Sequence, residues 1–224
     1  METNRKKNSL ILAFLLLCSL CAAIFTAVSV QKYGPGITHD SAAYIYAAQS
    51  LLNGEGFQYF GYPSPFIQWP PLYPALLALG EWFGFGAGAA SVVINSIAYA
   101  LIVFIAGRWM LIRFKSSILA FGGTLLLLFS VPLLQVSKYV WTETLFVLFL
   151  LLFYMEFEQF LQHGGRRFFL LSALFAALAC MERYAGVTII AAACLFLLFT
   201  KKIFWKRLAD AALFGALSAL PMGI

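Results

Sequence analysis

A series of long apolar runs, separated by short basic clusters, is the feature that most constrains the fold of this chain. Hydrophobic residues make up 62% of the sequence and charged residues only 11%, with a mean hydropathy of +0.89, whereas about a quarter of residues are charged in soluble domains. Runs of about 20 apolar residues cross a bilayer as α-helices. We therefore predict an all-α, polytopic transmembrane helical bundle that forms a single domain over 1–224. The predicted spans are a signal anchor at 9–30 and helices at 88–107, 116–134, 140–161, 167–182, 184–200 and 207–224.

The basic residues indicate how these spans are oriented. Cytoplasmic loops of membrane proteins are enriched in Lys and Arg. With a cytoplasmic N-terminus, 12 of the 15 basic residues fall inside, and only Lys32, Lys138 and Arg183 fall outside. The sequence therefore predicts a multi-pass integral protein of the cell (inner) membrane, with a long outer loop over 31–87. Because the basic residues report this topology, the net charge of +6 does not indicate nucleic-acid binding.

The outer loop contains two helical patterns around a proline-rich segment. Apolar residues at helical spacing predict an amphipathic helix over 41–52, lying along the membrane surface. Asn53 and Gly54 supply its end. Dense prolines then favour extended turns, and a second short helix is expected over 72–83. The apolar face of the first helix is formed by Tyr44, Ile45, Ala48, Leu51 and Leu52.

The four cysteines all lie inside apolar segments, so no disulfide framework is indicated. Cys18 and Cys21 have the CxxC spacing, but no second pair of ligands accompanies them. A metal or redox role is therefore not favoured.

The acidic residues are concentrated on one side of the predicted membrane. Ion-coupled transporters place ionisable groups near the midplane, and none lies clearly there in this sequence. This distribution favours chemistry at the outer interface over transport. The outer acids are Asp40, Glu55, Glu81, Glu143 and Glu182.

Several motifs of this chain, in this order and on this side, resemble those of one enzyme group. The motifs are Asp40-Ser41-Ala42-Ala43-Tyr44, Trp69-Pro70-Pro71-Leu72-Tyr73-Pro74, Trp141-Thr142-Glu143-Thr144 and Arg183-Tyr184-Ala185-Gly186. They resemble the outer-loop motifs of GT-C fold glycosyltransferases, in the group of the protein mannosyltransferases and aminoarabinose transferases. That group has a large C-terminal portion beyond these motifs, so we expect the chain to be the N-terminal part of a longer enzyme, and inactive alone.

The resemblance implies a membrane glycosyltransferase acting on the extracytoplasmic side. Such enzymes transfer a hexose or pentose, with inversion, from a polyprenyl-phosphate sugar donor to a lipid, glycan or protein acceptor. Two other functions remain open from the sequence: a transporter or flippase of lipid-linked sugars, and a non-catalytic membrane subunit.

Asp40 is the candidate catalytic residue. A carboxylate within hydrogen-bond reach of an acceptor hydroxyl or amine can take its proton as the acceptor attacks the sugar. The alternative is structural, since Asp at this place would also serve as the N-cap of the helix over 41–52. Many members of the group have two adjacent acids here, whereas this chain has one, flanked by His39 and Ser41. His39 itself is expected to be solvated.

Three charged residues are candidates for binding the donor. Arg183 offers a fork of donors suited to the lipid phosphate, or it forms a local ion pair with Glu182. Lys138 either assists it or anchors the chain at the interface. Glu143 would bind an acceptor group, pair with Arg183 or Lys138, or hold a divalent metal together with Asp40; no cofactor is required by the sequence.

The remaining candidates are aromatic. Trp69, Tyr62 and Tyr73 either stack on the sugar and line the lipid groove, or form part of an interfacial aromatic belt.

Overall fold

The computed structural model of the chain describes residues 2–60, 64–114, 116–200 and 203–223, with side chains from Ser9 onward. Tyr62 lies outside the described residues. The described part is a helical bundle with one small hairpin, which confirms the predicted all-α membrane fold. Its helices are α1 (Glu2–Ser29), α2 (His39–Leu52), α3 (Leu72–Trp82), α4 (Ala87–Phe114), α5 (Ser117–Leu128), α6 (Val131–Ser137), α7 (Glu143–His163), α8 (Arg166–Glu182), α9 (Gly186–Leu198) and α10 (Phe204–Ala219). Strands β1 (Gln58–Tyr59) and β2 (Ser64–Pro65) pair antiparallel.

Each of the seven predicted spans coincides with a helix or a bent pair of helices. Within the described residues, three helices are long and apolar enough to cross a membrane: Ser9–Ser29, Ala87–Phe114 and Glu143–His163. Helices α5 and α6 qualify together as a fourth crossing, bent by 43° where Pro132 enters the first turn of α6. The last three helices have 17, 13 and 16 residues, short of the ~20 residues of an untilted crossing. Helix length therefore supports three or four of the seven crossings.

Helix α2 starts two residues earlier than predicted, because Thr38 provides its N-cap. The Thr38 hydroxyl accepts a hydrogen bond from the Ser41 backbone N–H at 3.4 Å. The helix packs on α3 through a buried face of small residues around one tyrosine, while Leu52 is 43% exposed. Of the predicted apolar face, Tyr44 and Ala48 are buried in the protein, whereas Leu52 is exposed. The buried residues are Ser41, Ala43, Tyr44, Ala47, Ala48 and Ser50.

The outer loop forms a packed layer on the end of the bundle. The Ser50 hydroxyl donates to the Gly56 carbonyl at 2.8 Å and accepts from the Gln58 N–H at 3.1 Å, which ties the hairpin to α2. Helix α3 follows close to its predicted position and buries Tyr73 and Leu77 completely. This layer holds α2 in a fixed position at the end of the membrane-spanning helices.

Small residues allow α8 and α9 to approach closely at the outer end of the bundle. Helix α8 buries several alanines against α7, as small-residue faces of membrane helices commonly do. Gly186 then follows so closely that a Cβ there would lie 2.5 Å from the Cys180 backbone. The tight crossing fixes the short connection that carries Arg183 and Tyr184.

The orientation of the bundle can be tested by labelling single cysteines. In a variant whose four native cysteines are replaced, we expect Glu55→Cys to react with a membrane-impermeant maleimide added to intact cells. His163→Cys should react only after permeabilisation, because the α7–α8 connection is predicted to lie inside. Both positions are exposed in the structure. The reversed pattern would invert the topology and move Asp40 to the inner face.

Candidate functional site

The start of the outer loop is fixed to the segment between α6 and α7. The Gly36 N–H donates to the Lys138 carbonyl at 2.8 Å, and the Val140 N–H donates back to the Gly36 carbonyl at 3.1 Å. The Trp141 indole N–H donates to the Thr38 hydroxyl at 2.9 Å. These contacts hold the first turn of α2 beside the first turn of α7.

The predicted candidates Arg183 and Glu143 form an ion pair at this junction. The Arg183 Nη1 donates to Glu143 Oε1, and also to the Thr142 hydroxyl at 3.1 Å. The two charged side chains are 38% and 32% exposed, so the pair lies at the surface of the site. Among the described residues, Nη2 and Nε of Arg183 have no hydrogen-bond partner, which leaves one edge of the guanidinium available for an anion.

The structure does not give Arg183 the local partner Glu182 that the sequence offered. Glu182 is fully buried at the end of α8, and neither of its carboxylate oxygens has a hydrogen-bond partner in the described chain. Arg183 instead pairs with a residue 40 positions earlier in the sequence. Of the two pairings that the sequence left open, the structure shows the one with Glu143.

Asp40 lies in the first turn of α2 with its side chain 51% exposed. Thr38 fills the N-cap position, so the alternative that Asp40 caps the helix is wrong. The His39 ring lies beside it, with Nδ1 3.8 Å from Asp40 Oδ1. The carboxylate is therefore open to a ligand.

Tyr44 lies one turn after Asp40 in α2, and sequence reasoning did not place it in the site. Burial raises the pKa of the Tyr44 hydroxyl above its usual range; its interaction with Thr142 opposes this shift, as does Arg183, while Asp40 and Glu143 reinforce it. Residues four apart lie on one face of a helix, so the spacing of Asp40 and Tyr44 was a signal for this position. The hydroxyl stays protonated at neutral pH as a neutral neighbour of the charged groups.

The aromatic candidates Trp69 and Tyr73 differ in how deeply their side chains are buried. Trp69 is partly buried and packs edge-to-face on Tyr44, with ring centroids 5.7 Å apart. Tyr73 has no exposed surface, and its hydroxyl lies 3.0 Å from that of Ser91. Tyr73 therefore supports Tyr44 from the core, whereas Trp69 lies at the edge of the site.

Lys138 is adjacent to the site through its backbone. It is the C-cap residue of α6, and its side chain is partly buried. No cluster of three metal-ligating side chains occurs among the described residues.

Gly36 should be sensitive to the smallest substitution. A Cβ at this position would overlap the Tyr139 ring, so Gly36→Ala must displace the loop from the segment before α7. We expect an apparent destabilisation of about 1–3 kcal/mol, measured by thermal unfolding in detergent. Gly86→Ala is the matched control, because nothing lies within 4 Å of a Cβ there. If Gly36→Ala and Gly86→Ala are equally stable, the close contact between Gly36 and Tyr139 does not contribute to the stability of the protein.

Comparison with known proteins identifies a family. A family model described as dolichyl-phosphate-mannose-protein mannosyltransferase matches residues 68–224, well over half of the chain. No curated protein and no solved structure matches. The matched region contains Trp69, Glu143 and Arg183, whereas Asp40 precedes it.

Proposed function

The chain belongs to the dolichyl-phosphate-mannose-protein mannosyltransferase family, and on that premise we propose that it transfers a sugar from a polyprenyl-phosphate donor to an acceptor on the extracytoplasmic side. It is an integral membrane glycosyltransferase of the mannosyltransferase type. The observation that carries the proposal is the open carboxylate of Asp40 on the same junction as the Arg183–Glu143 pair.

In this proposal Asp40 is the general base. The acceptor hydroxyl gives its proton to the Asp40 carboxylate, its oxygen bonds to the anomeric carbon, and the bond from that carbon to the phosphate oxygen breaks. A single displacement of this kind needs one free carboxylate and inverts the anomeric centre, whereas retention by a covalent intermediate needs a second one. Glu143, the other acid at the junction, is engaged by Arg183. The arrangement therefore supports inversion.

Arg183 is the proposed ligand of the donor phosphate. The leaving group is a lipid phosphate whose charge increases as the glycosidic bond breaks, and a positioned guanidinium stabilises that charge. Glu143 and Thr142 hold one nitrogen of the fork, so the remaining edge is oriented before the donor arrives. Glu143 thus acts on the donor through Arg183.

The other proposed substrate contacts are weaker. Trp69 offers a partly exposed ring at the edge of the site for stacking on the sugar. Lys138 lies at the end of α6, in the segment that leads to α7, and adds positive charge near the phosphate. Tyr73 contributes by supporting Tyr44, because its ring is fully buried.

The proposal is tested by following a labelled sugar. Full-length protein in membrane vesicles is incubated with polyprenyl-phosphate mannose labelled in the sugar, and products are separated from the donor. We expect the label to leave the lipid phosphate and to become bonded to a membrane acceptor, at a rate well above that of vesicles containing Asp40→Asn. Movement of the intact labelled donor between leaflets, with no new glycosidic bond, would support the transporter alternative and overturn the proposal.

A further inference from the structure

Two consecutive side chains before Asp40 are anchored to different parts of the outer layer. Thr38 is held by the Trp141 indole from the segment before α7. His39 is held from the opposite side, where its Nε2 lies 3.2 Å from the Tyr59 hydroxyl of strand β1. The His39 side chain is 63% exposed and that of Asp40 51%, but among the described residues Asp40 is the first of the three whose side chain has no hydrogen-bond partner. The backbone at Asp40 is therefore fixed from both sides while its carboxylate remains accessible.

Aromatic contacts determine the orientation of the His39 ring. The ring packs edge-to-face on Phe60 at a centroid distance of 5.3 Å, and Tyr59 is itself stacked on Trp69 at 6.1 Å. With Nε2 directed at Tyr59, the second ring nitrogen, Nδ1, lies 3.8 Å from Asp40 Oδ1. The ring is largely exposed, as expected for a solvated loop histidine, but these contacts also restrain it.

The hydrogen bond at one ring nitrogen determines the proton on the other. When the Tyr59 hydroxyl donates to Nε2, the proton of the neutral ring is on Nδ1, the nitrogen that faces Asp40. At 3.8 Å the Nδ1–H and Oδ1 are too far apart for a hydrogen bond, so the N–H dipole attracts Oδ1 electrostatically. This attraction favours one orientation of the carboxylate and leaves its oxygens free of a hydrogen-bond donor from His39.

We propose that His39, oriented by Tyr59, is a positioning residue that aligns the Asp40 carboxylate for proton transfer from the acceptor. The inference rests on the proposed function, because it requires Asp40 to be the base. His39 does not touch the reacting atoms, and the acceptor proton ends on Asp40. The role depends on the Nδ1 nitrogen, so an aromatic ring that lacks this nitrogen would not align the carboxylate.

Substitutions at His39 separate this role from simple packing. His39→Phe keeps a ring among the aromatic neighbours and removes both nitrogens. His39→Asn places an amide N–H close to the position of Nδ1, whereas His39→Gln extends its amide toward Tyr59. Tyr59→Phe keeps the stack on Trp69 and removes the hydroxyl that orients His39.

The test measures kcat and the donor KM of full-length protein in vesicles, with polyprenyl-phosphate mannose as the probe. We expect His39→Phe to lower kcat by about 10–10²-fold, as small misplacements of a catalytic group do, with the donor KM almost unchanged. Tyr59→Phe should cause a smaller loss of the same kind. His39→Asn should recover most of the lost kcat and His39→Gln should not. Thermal unfolding in detergent verifies that each variant is folded.

The combination with Asp40→Asn identifies the target of His39. If His39 acts through Asp40, His39→Phe should cause no further loss in the Asp40→Asn protein. A normal kcat in His39→Phe, or losses that multiply in the double variant, would overturn the positioning role while the proposed base stands. Full activity of Asp40→Asn alone would instead overturn the proposed base, and the positioning role with it.

Discussion

We expect Asp40→Asn to lower the rate of sugar transfer by about 10²–10⁴-fold, the loss typical of removing a general base. Asparagine has nearly the same shape and cannot accept the acceptor proton. The α2 N-terminus is capped by Thr38, so the substitution leaves that hydrogen bond intact. The measurement is the initial rate of label transfer from polyprenyl-phosphate mannose, compared at equal amounts of folded protein in the membrane.

Glu55→Gln is the matched control for this experiment. Glu55 is an exposed acid of the same outer loop, just beyond the end of α2, and its neutralisation changes the charge of the loop by the same amount. We expect it to retain normal transfer. Comparable losses in the two variants would assign the effect to loop charge, and an active Asp40→Asn protein would exclude Asp40 as the base.

The positions of the long helices were predictable because each depends on one local property, the length of an apolar run, and helix length supports three or four of the predicted spans as crossings. The predicted outer helix over 41–52 appears as α2 for the same reason. Its exact start was not predictable, because two neighbouring residues could cap it. Thr38 takes that position with the Trp141 indole bound to its hydroxyl, and that contact joins residues 103 positions apart.

The candidate site was predictable as a set of residues and not as a set of contacts. Asp40, Glu143 and Arg183 were identified from their side of the membrane and their chemistry. Whether Arg183 pairs with Glu182 or Glu143 depends on how α7 and α8 pack, and no local pattern encodes it. Burial was also not predictable from the sequence, because Tyr73 and Trp69 belong to one motif and only Trp69 reaches the surface.

We expect Arg183→Ala to weaken binding of the donor phosphate and to lower transfer by about 10²–10³-fold, the range for removing one donor that stabilises developing negative charge. Arg183→Lys keeps the charge and loses the planar fork, so it should recover only part of the activity. Glu143→Gln should resemble Arg183→Lys more than Arg183→Ala, because the guanidinium remains but is no longer held by an ion pair.

Donor binding separates this role from that of a structural ion pair. The affinity of purified protein for a polyprenyl phosphate without sugar should fall in Arg183→Ala, fall less in Arg183→Lys, and stay unchanged in Arg167→Ala, a control at the opposite end of α8. A structural pair would make Glu143→Gln and Arg183→Ala equally unstable and leave the affinity of the folded fraction unchanged. Unchanged affinity in both Arg183 variants would therefore make Arg183 an anchor for α7 and α8, and the donor phosphate would need another cation, of which Lys138 is the nearest candidate along this face.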